Sequence, residues 1–168
     1  MQSLLSEHFR TFAHYNAWAN ERLYEVCAGL PEAQYLEPRP AFFGSLHGAL
    51  NHILVADRLW LSRLEGRDSG IGSLDQQLYG DFAGLRVARR AEDGLIIAYV
   101  EGLEAGDLTT PIRYTNMAGE RHQDPLRLIL AHMFNHQTHH RGQAHDLLSQ
   151  TEVAPPPLDL IYFLHGRE

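Results

Sequence analysis

The chain is short of several things, and each shortage excludes something. It has one cysteine, Cys27, among 168 residues. An internal disulfide framework is therefore impossible, as is any zinc site built from several cysteines. Cys27 follows Leu23 and Val26 in an apolar pattern and reads as a buried structural thiol rather than a nucleophile. Positive charge is scarce as well: 14 basic against 21 acidic residues leave a formal net charge of -7. With no basic run either, nucleic acid is not the expected partner. No segment approaches the ~18 consecutive apolar residues of a membrane span, and the first residues lack the charged and apolar regions of a secretion signal. The expectation is a cytoplasmic chain without a membrane partner. Internal repeats, low-complexity stretches and composition breaks are missing too, so residues 1–168 read as one domain, and 44% apolar residues suffice for a substantial core.

Histidine, by contrast, is plentiful at 11 residues, and residues 131–145 are the richest stretch. His132, His136 and His140 recur there at i, i+4, i+8, one turn above another on an α-helix. Asp124-Pro125 reads as an N-cap followed by proline at the first helical position, and Leu126, Ile129, Leu130, Met133, Leu147 and Leu148 keep helical period to about Gln150. At ~100° per residue, His140 falls near the middle of the apolar stripe and His136 within ~60° of it. His132 lies at the rim and His139 points mostly outward. Two core-facing imidazoles one turn apart can grip a divalent ion. The plainer reading is a pair of core histidines satisfied by backbone or carboxylate partners, but a shared metal serves both buried rings at once.

Three more helices can be read from apolar period and caps. The first runs from Leu4 to about Ala28, stopped by Gly29 and Pro31. Ser45 caps a second, which runs to about Glu65 and is stopped by Gly66. Its stripe of Leu46, Ala49, Ile53, Ala56, Trp60 and Leu64 has His52 on its edge and His47 on the far side. Asp81 caps a third through about Ala105, with Gly94 inside it as a point of close helix packing. The segments flanking residues 115–119 read as a small β-hairpin, and residues 31–44 and 66–80 as connectors. An all-α four-helix bundle with long connectors accommodates these elements, and in such a bundle His52 can supply a third ligand to His136 and His140.

Four stretches, in order, carry a resemblance to a known family. They are Tyr15-Asn16-Ala17-Trp18-Ala19-Asn20, Asn51-His52-Ile53-Leu54-Val55-Ala56-Asp57-Arg58-Leu59-Trp60, residues 132–143 with their closing His140-Arg141-Gly142-Gln143, and the proline-led tail 155–164. Together they resemble the DinB/YfiT-like family, regarded as metalloenzymes although many members have no established activity. The likeness spans nearly the whole chain. It implies a four-helix bundle, commonly a homodimer, whose divalent metal, zinc or nickel, is held by three histidines that map onto His52, His136 and His140. It also implies, for some members, transferase or isomerase chemistry that depends on a low-molecular-weight thiol. His47, His132 and His139 receive no ligand role, and catalytic residues are not assigned.

Three neutral imidazoles would leave an ion its full charge and an open position, where a bound water's pKa can fall to ~7 or a thiol can bind as thiolate. Position 137, between the two helical histidines, is glutamine, and an amide cannot take a proton as the glutamate of zinc proteases does. Peptidase activity is not expected. The expected function is a metal-dependent, thiol-using transferase or isomerase acting on a small electrophilic substrate. The alternatives are a metal-stabilised binding module without turnover and a metal-water hydrolase of small substrates. Tyr15, Asp57 and Gln143 read equally as pocket residues or as bundle packing. An unperturbed imidazole pKa of ~6.5 sets metal release below about pH 6. The apolar run from Leu158 to Leu164 and the outward aromatics of the first helix suit either a tail folded over its own bundle or a homodimer contact.

Overall fold

The computed structural model describes residues 4–166. Four long helices dominate: α1 (Leu4–Cys27), α3 (Leu46–Glu65), α4 (Phe82–Glu101) and α5 (Leu126–Ser149). Short helices α2 (Glu32–Leu36) and α6 (Leu160–Leu164) lie in the first connector and the tail. Strands β1 (Pro111–Thr115) and β2 (Arg121–Pro125) pair antiparallel in a hairpin between α4 and α5, with Thr115 opposite Arg121. The fold is a four-helix bundle with a small hairpin. Among the described residues no helix is long and apolar enough to cross a membrane.

The predicted caps of the second and third helices are in place. The Ser45 hydroxyl accepts from the Gly48 amide at 3.0 Å and the Asp81 carboxylate from Gly84 at 2.7 Å. Gly66 ends α3 at φ 67°, the left-handed conformation that a side chain would resist. Elsewhere the expectations need correction. Asp124 does not cap α5; it pairs with Ile112 in the hairpin, its carboxylate accepts from the Tyr114 hydroxyl, and Pro125 is the cap. Helix α4 stops at Glu101 rather than near Ala105. Gly94 faces solvent with open space around it, so it permits no close packing.

The core is divided lengthwise. One apolar cluster holds Leu23 and Tyr24 of α1, Leu50 and Leu54 of α3, Leu85 and Ala88 of α4, and Leu147 and Leu148 of α5. The other holds Phe9 and Ala13, Leu61, Ile96 and Val100, and Leu130, Met133 and Phe134. Each fully buried leucine here contributes about 1.5–3 kcal/mol relative to exposure. The order in which each helix meets the two clusters gives its direction. Helices α1 and α5 run one way, α3 and α4 the other. The connector between the parallel α3 and α4 must therefore travel back along the bundle, and residues 67–80 do so.

Cys27 is buried, as expected, and burial pushes its thiol up to about 12. The tail packs on α1: the Tyr15 hydroxyl donates to the Leu158 carbonyl at 2.7 Å, and Phe163 lies against Tyr15 and Trp18. Ile161 and Leu164 stay half exposed beside it.

Candidate metal centre

His52 of α3 meets His136 and His140 of α5 about midway along the bundle. One ring nitrogen from each lies within 4.8 Å of the other two. His52 is buried, while His136 and His140 are half-buried. Ring centroids stand 4.2 Å apart for His136 and His140 and 5.3 Å for His52 and His136.

The outer partners decide which nitrogens face inward. The Leu74 carbonyl can only accept, so His52 Nδ1 donates to it at 2.8 Å. His140 Nδ1 donates to Gln143 Oε1 at 2.8 Å, while the Gln143 amide nitrogen reaches His139 at 3.3 Å. Both Nε2 atoms are thereby left as lone-pair acceptors, and they face each other across 3.3 Å. Two opposed lone pairs at that distance repel unless a cation lies between them. A carbonyl or amide holding the far nitrogen of a ring is also how metal-bound histidines are oriented. A set of three ring nitrogens so placed could hold a metal ion.

Electrostatics prepare the same cluster. Burial, reinforced by the neighbouring rings, pulls His136 down to about 3. Burial likewise lowers His140 to about 4, against the opposing pull of its bond to Gln143. His52 is also lowered by burial, with the Leu74 carbonyl working the other way. All three rings are neutral at pH 7, the form that coordinates metal. Phe43 stacks on His52 at 3.9 Å between centroids and meets His140 edge-on, shielding one side. A cavity of about 450 Å³ lined by Phe42, Phe43, His139, Gln143 and Leu147 lies next to the cluster, sharing Phe43 and Gln143 with its surroundings.

The other histidines fall outside the cluster. His139 and His132 are exposed, His132 against Trp60 at 5.0 Å. His47 is a correction: it is buried, not on an outer face, because α2 lays Tyr35 over it and Nδ1 bonds the Tyr35 hydroxyl at 2.8 Å. Of the residues read as pocket or packing, Gln143 touches a candidate ligand, and Tyr15 ties down the tail.

Asp57 and Gln137 belong to a feature absent from the sequence reading. Asp57 accepts from Arg89 at 2.7 Å, Arg89 pairs with Asp93 at 2.9 Å, and Asn20 donates to Asp93 at 2.9 Å. Arg141 then donates to Asn20 at 3.2 Å and to Gln137 at 3.3 Å, and the Gln137 amide donates to Asp57. The circuit closes through all four long helices, is buried, and separates the two apolar clusters. Its two guanidinium groups match its two carboxylates. Burial pushes the Asp57 carboxyl up and Arg89 opposes that shift. A signal was available: Asn16–Asn20, Arg89–Asp93 and Gln137–Arg141 are polar i, i+4 pairs set in the middle of apolar stripes.

Fold and site together define a four-helix-bundle protein with a three-histidine cluster between two of its helices. The sequence matches the DinB family over residues 1–168, and the chain belongs to that family. Protein DinB of Bacillus subtilis (strain 168) is 25% identical over 154 residues, covering 89% of this chain and 90% of that protein. A DinB-like protein from Bacillus cereus ATCC 10987, known from a crystal structure, has the same fold. It superimposes with a TM-score of 0.69 at 22% identity, covering 90% of this chain and 95% of that one.

Proposed function

We propose that the chain holds a divalent metal ion, zinc or nickel, through His52, His136 and His140, and serves as a thiol-dependent transferase or isomerase acting on a small electrophilic substrate. The observation that carries this reading is the convergence of three ring nitrogens within 4.8 Å, two of them turned inward by fixed outer partners. A bound divalent ion would supply Lewis acidity, lowering the pKa of a thiol or water at an open position. The chain's own part is to keep three imidazoles neutral, orient them through Leu74 and Gln143, and close one side with Phe43. Gln137 is turned into the bundle, so the helical pair has no general base of the zinc-protease kind beside it. Exogenous thiol is the natural nucleophile, because the chain's one cysteine is buried and its thiol is held protonated.

Elemental analysis and zinc titration of the purified chain test the metal, with His136→Ala as comparison. About one ion per natural chain, and none in the variant, is the expected result; no uptake by the natural chain overturns it. Cobalt-loaded protein then tests the thiol. Added 2-mercaptoethanol should bring a sulfur-to-cobalt charge-transfer band, and an unchanged spectrum leaves a metal-binding module without thiol chemistry.

A further inference from the structure

The buried polar circuit lies at the same level of the bundle as the three histidines. On α5 its members Gln137 and Arg141 each follow a candidate ligand, His136 and His140, by one residue. On α3, Asp57 lies five residues beyond His52. The bond from Gln137 to Asp57 therefore joins the two ligand-bearing helices directly beside the cluster. Each end of that bond is anchored again: Asp57 by Arg89 of α4, Gln137 by Arg141, which reaches Asn16 and Asn20 of α1.

Such a circuit is an uneconomical way to stabilise a core. Well-packed apolar residues of similar volume often do as well or better, and a buried charged network is best attested as a device that specifies one arrangement among several. The arrangement specified here is the rotation and rise of α5 against α3. One residue of slip turns an α-helix by ~100° and shifts it ~1.5 Å. Metal–ligand distances tolerate only about ±0.2 Å. Apolar ridges alone leave more play than that, whereas a hydrogen-bonded amide between two anchored partners does not.

We propose that Asp57 and Gln137 are positioning residues for the histidine cluster: their bond, held in a closed circuit through all four helices, sets α5 against α3 so that His136 and His140 meet His52. The inference rests on the metal-binding reading. It goes beyond that reading in assigning affinity and geometry to residues that touch neither metal nor substrate.

The test compares zinc dissociation constants, by chelator competition, in the natural chain, Gln137→Met, Asp57→Asn and Leu23→Ala. Gln137→Met keeps the volume and removes the bond. Asp57→Asn puts one neutral amide oxygen where Arg89 and Gln137 both donate to the same carboxylate oxygen, weakening both bonds at constant volume, so it guards against a failure of the first variant to fold. Leu23→Ala is a control that destabilises the bundle from α1 without touching the circuit. Outer partners of metal ligands are worth ~10–100-fold in affinity. The expected result is zinc binding weakened at least tenfold in a folded Gln137→Met or Asp57→Asn chain and changed less than threefold in Leu23→Ala. The cobalt d–d spectrum should change in the first two alone. Affinity within threefold of natural in the folded circuit variants overturns the proposal, and so does an equal loss in Leu23→Ala. A natural chain that takes up no metal fails earlier, at the three-histidine reading, and is told apart by that.

Discussion

His136 and Gln137 are neighbours in the chain and face different interiors of one bundle. The ring of His136 turns towards His52 and His140, and the amide of Gln137, 1% exposed, turns towards Asp57 and Arg141. A step of ~100° around the helix separates a centre of neutral imidazoles from a circuit of paired charges.

Gln143 holds the outer nitrogen of His140, so Gln143→Leu should weaken zinc binding by ~10–100-fold while leaving the bundle folded. Chelator competition measures the first and circular dichroism the second. His139, exposed and bonded only to the other end of Gln143 among these groups, provides the contrast: His139→Ala should stay within a few-fold of the natural chain.

Proton competition should set in lower than the unperturbed histidine pKa suggests. His136 sits at about 3 and His140 at about 4 because burial disfavours the imidazolium. Zinc affinity should therefore be nearly flat from pH 7.5 to about 5 and fall below that; a tenfold loss between pH 7 and 6 would refute it. The metal-free chain has a matching stability profile. Its folded-state pKa values lie below the unfolded ~6.5, so the unfolded chain binds protons first. The histidine share of the stability is full above about pH 6.5 and declines as pH falls towards 4, while the raised Asp57 carboxyl, protonated first in the folded chain, works in the opposite direction. Urea midpoints of the natural chain and of His136→Phe across that range isolate the histidine share by difference, since the Asp57 contribution is common to both.

Arg89 sits between Asp57 and Asp93, and its loss would strand two buried carboxylates. Arg89→Leu should cost about 3–5 kcal/mol, the usual penalty for removing one partner of a buried pair. Denaturant unfolding decides; a loss under about 1 kcal/mol would mean that the circuit is not a coupled charge network.

Self-association is expected through the face where Ile161 and Leu164 stay half exposed beside Trp18 and Phe163. An isologous contact there would use the same apolar patch twice. Light scattering at micromolar concentration should find 38.2 kDa, twice the chain's 19.1 kDa, and Ile161→Glu should return it to monomer. A natural chain that stays at 19.1 kDa removes the dimer.

How much of this is legible in the sequence depends on whether one helix suffices to read it. Ser45 and Asp81 are readable as caps because capping is local: a side-chain oxygen meets an amide three residues on. The convergence of His136 and His140 is readable because both sit on the inner side of one helix. His47 is not, since its burial comes from Tyr35 on α2, a helix too short to show a period. Asp124 before Pro125 satisfies a capping pattern and a strand end alike, and only Tyr114 across the hairpin decides between them. The polar circuit fails for a related reason. Asn20, Arg89 and Arg141 each interrupt an apolar stripe, but one helix shows only the interruption; the partners that close the circuit come from the other three.

The connector after α3 acquires a second meaning from the direction of the helices. Since α4 runs parallel to α3, residues 67–80 must retrace the bundle, and on the way the Leu74 carbonyl receives His52. The wiring that the topology demands and the orientation that the histidine needs thus come from the same stretch of backbone. A circular permutation opened within this return path would spare every long helix and every histidine. It would still untether the one ring that faces the other two from α3, making the crossover part of the chemistry rather than slack between parts.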